Sequence, residues 1–145
     1  MKVEEAVFNF ENGCNCSQAI LAAYCEDFGL DFEKAALISV AFGGGVGRQG
    51  KMCGCVSGAL MVLGLKFGVD STKDIKVRTD SYDIAKQFCE RFIEINGALD
   101  CKDIIKYNLA NLEDRQKAQE NNIFKTRCAK IVANTTKLLE EFVAD

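Results

Sequence analysis

Apolar residues recur every three or four positions along most of this chain, and none of its 145 residues is proline. Inside a helix, proline removes a backbone donor and clashes with the preceding turn. A chain without it, patterned at a period near 3.6, is committed to helices. The clearest stripe is Phe124, Cys128, Ile131, Thr135, Leu138 and Phe142, reinforced by Val132 and Leu139. Residues 74–96 place Ile84, Phe88, Phe92 and Ile95 inward and Lys86, Glu90 and Glu94 outward. "CSQAILAAYCEDF" reads as a helix closed by Gly29, and "DFEKAALISVAF" as one capped by Asp31. "CGCVSGALMVLGLKFG" is strongly apolar and ends at Gly68, which marks it as the buried central helix. "NLEDRQKAQENN" is polar on nearly every side and reads as exposed helix or loop. The expectation is all-α: a single-domain helical bundle over residues 1–145, about six helices around an apolar central one.

A chain of this length buries about 68–70% of its unfolded surface, enough for a core without staples. The net charge of −3 carries no basic footprint for nucleic acid. No apolar run approaches the roughly 18–20 residues that span a bilayer. The start, "MKVEEAVFNFENG", has acids where a signal peptide needs a basic and then an apolar region. A cytoplasmic protein without membrane insertion is expected. The apolar central helix can be covered within one chain or in a homo-oligomer.

Two counts narrow the chemistry. Histidine is absent, so Ser-His and Cys-His mechanisms are unavailable and any metal site must do without imidazole. Cysteine occurs eight times: Cys14, Cys16, Cys25, Cys53, Cys55, Cys89, Cys101 and Cys128. In a reducing compartment such a set means metal binding, thiol chemistry or inert burial.

The glycine-dense stretch "FGGGVGRQGKMCGC" invites two phosphate readings. Gly45, Gly47 and Gly50 fit the dinucleotide fingerprint, but no series of strands with βαβ spacing surrounds them. Gly45 to Lys51 fit most of a P-loop, but Met52 stands where the magnesium-binding Ser or Thr belongs. Glycines in such a loop can equally expose N–H groups to a thiolate or serve only to let helices pack closely. Cys53 sits where the apolar helix begins, with Lys51 and Arg48 nearby, and Cys16 opens another helix after Gly13. Helix N-termini and basic neighbours lower a thiol's pKa. Gly44, Gly45, Gly47, Arg48, Lys51 and Gly54 are therefore the candidate thiolate-stabilising or anion-binding loop. Cys101, following Asn96-Gly97, has a helix-start setting like that of Cys53. Cys25 and Cys89 lie in amphipathic helices and read as structural, and Cys128 lies on an apolar stripe. Cys53 and Cys55, if both helical, should point apart and not share one ion.

These segments resemble the C_GCAxxG_C_C family, described as redox-active proteins of about this length. "NCSQAIL" looks like its first cysteine segment, at Cys16. "FGGGVGRQGKMCGCVSGALMVLGLKFG" looks like its signature, whose core reads here Cys53-Gly54-Cys55-Val56-Ser57-Gly58. "NGALDCKDII" supplies Cys101 and "RCAKIV" supplies Cys128. The resemblance spans nearly the whole chain, with Cys55 standing in place of the family's usual alanine. It implies a redox role carried by Cys16, Cys53, Cys101 and Cys128.

Two functions from different classes follow. In the first, Cys16 and Cys53 exchange with an external redox partner or a small thiol or disulfide, and Cys101 and Cys128 form a second pair or relay. That chemistry requires no cofactor. In the second, the same four cysteines hold zinc or an iron–sulfur cluster. A third reading makes them a reduced core around a small-ligand pocket.

Overall fold

The computed structural model describes residues 1–144, and it is all-helical among them. Eight helices follow in order: α1 (Lys2–Glu11), α2 (Cys16–Tyr24), α3 (Phe32–Ser39), α4 (Gly54–Phe67), α5 (Ile75–Asn96), α6 (Cys101–Ile105), α7 (Leu112–Glu120) and α8 (Ala129–Val143). Two more than the periodicity distinguishes are present. α1 lacks a long stripe of its own and packs on α2 and α8, and α6 is too short to show a period.

Capping explains where the helices start. Asn15 accepts from the Gln18 N–H at 3.0 Å while the Gln18 side chain accepts from the Asn15 N–H at 2.9 Å, so the first turn of α2 carries a reciprocal cap. Asp31 caps α3 through the Lys34 N–H at 2.8 Å, as its position in the sequence predicts. Asp74 and Asn111 cap α5 and α7 in the same manner. The stretch "LISVAF" is helical through Ser39 and continues as a 3₁₀ turn over Val40–Phe42, so no strand precedes the glycines. No helix among the described residues is long and apolar enough to cross a membrane.

α4 is the centre of the bundle. Gly54 through Ala59, Val62 and Leu63 are all buried, packed against α2, α5 and α8. Phe88 and Phe92 close the core from α5, and Ile131, Val132, Leu138 and Leu139 close it from α8. Phe88 meets Phe142 edge-on, with ring centroids 5.3 Å apart. Ile95 corrects the sequence expectation: it is 45% exposed, because the end of α5 runs past the core.

The starts of α4 and α2 approach each other closely. A Cβ on Gly58 would lie 2.7 Å from the Ser17 carbonyl oxygen, and one on Gly54 would lie 3.2 Å from the Cys16 Sγ. Ser17 also donates to the Ser39 carbonyl at 2.6 Å, and Asn15 donates to that of Val40 at 2.9 Å, which ties the end of α3 to the same point.

The glycine loop takes an unusual path from there. Gly44, Gly45, Val46, Gly47 and Arg48 all have φ between 60° and 69°. For a β-branched valine and an arginine, left-handed backbone costs about 1–2 kcal/mol each. The conformation is held by long-range turns: Gly47 donates to Ala41 at 2.8 Å and Lys51 to Gly45 at 2.9 Å. The chain then pairs with the segment before α6. Met52 and Asp100 form an antiparallel bridge, Cys53 donates to Leu99 at 2.8 Å, and Cys101 donates to Lys51 at 2.6 Å. Gly45 is buried in this joint, where a Cβ would fall 2.5 Å from the Lys51 nitrogen and 2.8 Å from the Cys101 Cβ.

Gly45 and Gly47 are therefore unequal despite similar φ. Gly47→Ala meets no atom within 4 Å and should cost about 1–2 kcal/mol, the left-handed penalty alone. Gly45→Ala adds a collision with backbone and should cost about 3 kcal/mol or more. Urea midpoints of the two variants check this, and equal losses would contradict the packing described.

Candidate functional site

Helix starts and the segments joined by the bridge converge on one small cavity of about 20 Å³. Cys16, Cys53, Cys55, Cys101 and Cys128 all line it, together with Gly54 and isoleucines of α6 and α8. They arrive by several local devices. Cys16 is the first residue of α2 and Cys101 the first of α6. Cys53 caps α4 with ψ of 134°, outside the helix. Cys128 ends a π-helical stretch, Phe124–Cys128, that leads into α8. All eight cysteines are free of disulfide bonds.

Cys53 and Cys55 thus share a cavity although two positions apart. Helical geometry would separate them, but Cys53 stands before the helix and its extended ψ turns the chain. Cys16 and Cys53 are the two neighbours that act most strongly on the Cys55 thiol, so the three side chains form one interacting group.

Acidity is distributed unevenly in this group. The Cys16 thiol is lowered to about 7, first by the hydrogen bond with Cys55. Burial opposes the shift, while the backbone N–H groups of Gly44, Cys16 and Ser17 assist it. Cys55 moves the other way, well above its ordinary value, because it keeps the proton that it shares with Cys16 and because it is buried. Burial pushes Cys101 up to about 12, with the neighbouring thiols adding to the shift. Burial likewise raises Cys128. Cys14, Cys25 and Cys89 are raised by burial as well and line neither this cavity nor the cleft above it.

That cleft is open to solvent, with a volume of about 610 Å³. Cys16, Cys101 and Cys128 line it, so Cys16, half-buried, belongs to both spaces. Gly43, Gly44, Gly47 and Arg48 form one wall, and Arg115 and Phe124 stand on others.

The loop candidates divide accordingly. Gly44 offers its N–H to Cys16, and Gly54 approaches Cys16 closely. The loop therefore sets one of its N–H groups at Cys16. Gly45 makes room for the bridge, and Gly47 and Arg48 line the cleft. Lys51 is exposed, lines neither space, and contributes through its backbone. Its charge, assigned to the loop from proximity in sequence, is not part of the site. Sequence reasoning missed Asn15 and Arg115. The N-x-x-Q spacing of Asn15 and Gln18 was a legible capping box; Arg115 lies in a polar helix that carries no signal.

Among the described residues, no group of three or more His, Cys, Asp or Glu side chains is placed to hold a metal ion.

An all-helical chain that gathers four further cysteines around one acidic thiol has the makings of a redox-active thiol protein. The chain belongs to the family described as "Putative redox-active protein (C_GCAxxG_C_C)", which it matches over residues 14–142. No curated protein and no solved structure matches it.

The pH profile of alkylation tests the acidity pattern. Because the Cys16 pKa is depressed, its thiolate is present above about pH 7 and lost below. Modification of Cys16 by iodoacetamide should be half-maximal near pH 7. Cys55→Ala, which removes the donor, should move that midpoint up by about one unit, the scale of a charged hydrogen bond of roughly 1.5 kcal/mol. Peptide mapping reads both, and an unmoved midpoint would remove Cys55 from the account.

Proposed function

We propose that this protein carries out thiol–disulfide exchange with Cys16 as the attacking thiolate and Cys53 as the resolving thiol. One observation carries the reading: Cys16 is the cleft-lining thiol whose acidity is enhanced, and it lies in a group of neighbouring thiols. The thiolate is the nucleophile in exchange, and a thiol with pKa near ambient pH is close to the optimum attacker. No histidine is needed, since the Cys55 thiol and three backbone N–H groups stabilise the anion.

The Cys16 thiolate attacks one sulfur of an external disulfide, forming a mixed disulfide and expelling one thiolate. Cys53 then loses its proton to solvent and attacks the Cys16 sulfur, expelling the second thiolate. The external disulfide gains two electrons and becomes two thiols, and the protein is left with a Cys16–Cys53 disulfide. An external dithiol returns the two electrons and two protons. Cys55 stabilises the starting thiolate, and Cys101 and Cys128, whose protons are held tightly, stand as reserve thiols beside the pair. Metal binding by the same four cysteines lacks a comparable observation.

Variants separate the roles. With excess low-molecular-weight disulfide, Cys16→Ser should form no mixed disulfide, with at least a hundredfold loss of rate. Cys53→Ser should stop at a stable mixed disulfide on Cys16, visible as added mass. Unchanged exchange in Cys16→Ser would refute the assignment, and full resolution in Cys53→Ser through a Cys16–Cys55 disulfide would move the resolving role to Cys55.

A further inference from the structure

We propose that the cleft above Cys16 is the binding site of a small disulfide bearing carboxylates at both ends, gripped by Arg48 and Arg115. The proposal deepens the thiol–disulfide reading and rests on it. Its own support is charge and shape.

The protein is acidic overall, at −3, yet no aspartate or glutamate lines this cleft. Its charged lining residues are Arg48 and Arg115. Neither arginine forms an ion pair among the described residues. Two arginine forks facing one space without a carboxylate partner match an anionic ligand, because guanidinium binds carboxylate through paired hydrogen bonds.

Both arginines are placed. Arg48 sits on left-handed backbone, and its stem lies over Gly44, where a Cβ would come within 2.9 Å of the Arg48 Cγ. Gly44 is also the residue whose N–H meets Cys16, so one strained turn sets a donor on the sulfur and puts Arg48 on the wall of the cleft. Backbone strain of this kind is characteristic of ligand sites. Arg115 is anchored by its Nε–H to the Leu109 carbonyl at 3.2 Å.

The volume of about 610 Å³ falls within the roughly 300–1,000 Å³ of small-molecule sites. Cys16 is half-buried. A disulfide on the surface of a folded protein would have to enter a space of that size, so a small molecule is the fitting occupant. Exchange proceeds as above: the ligand's sulfur–sulfur bond accepts two electrons from Cys16 and Cys53 and leaves as two anionic thiols.

The test uses reduced full-length protein and four oxidants at equal concentration and low ionic strength. These are 3,3′-dithiodipropionate (dianionic), 2-hydroxyethyl disulfide (neutral), cystamine (dicationic) and insulin as a protein disulfide. The expected order puts dithiodipropionate at least tenfold ahead of the neutral disulfide and cystamine last. The doubly substituted R48Q/R115Q protein should bring the anionic-to-neutral ratio within threefold, as should 0.5 M salt. Equal rates for the three small disulfides, or cystamine fastest, would overturn the anionic site and leave the thiol reading intact. Insulin reacting fastest would replace the small ligand with a protein. Cys16 left as a free thiol by all four oxidants, in neither a mixed nor an intramolecular disulfide, would overturn both readings.

Discussion

The site depends on one contact between backbones. The start of α4 lies against the first turn of α2 so closely that Gly58 has no room for a methyl group and Gly54 would take one only if its neighbours gave way by a few tenths of an ångström. Side chains there would push the helices apart and withdraw Cys53 and Cys55 from Cys16. With glycine, three thiols from two helix starts meet, and the N–H groups of α2 that lack intrahelical partners point at one of the sulfurs. The two glycines of the signature are thus spacing elements that convert helix packing into sulfur chemistry.

The second requirement is a loop that reverses without moving away. Five consecutive residues of positive φ achieve that between α3 and the bridge. Two are not glycine, so the loop stores roughly 2–4 kcal/mol of conformational strain that the surrounding hydrogen bonds must offset. The result is a Gly44 N–H directed at Cys16, an Arg48 side chain over the cleft, and a bridge that brings Cys101 beside Cys53. Each of these positions lies within a few residues of a glycine or a cap, where geometry is set locally and flexing is limited.

Much of the fold was legible because it is periodic. The stripe from Phe124 to Phe142, the caps at Asp31 and the apolar run from Gly54 each state their role in residues close together in sequence. Ile95 misled because periodicity cannot tell where a long helix outruns the core. The convergence of cysteines was legible only through the family resemblance: the positions span more than a hundred residues, and nothing in their spacing shows that a bridge at Met52 and Asp100 joins them. The reach of the glycine loop toward Cys16 was hidden for a similar reason, because the left-handed path that sets the Gly44 N–H at that sulfur leaves no trace in the spacing. Cys55, outside the family pattern, turned out to be the thiol whose strongest interactions are with Cys16 and Cys53.

The central claim is that Cys16 is the thiol through which this protein exchanges electrons. It is tested most directly by equilibrating the wild-type protein in dithiol–disulfide buffers of graded potential, trapping with acid, and mapping every cysteine by mass spectrometry. The account predicts a single two-electron transition in which Cys16 is lost from the free-thiol pool together with one neighbour from the cavity. A transition that leaves Cys16 reduced throughout, or no transition at all, would contradict it.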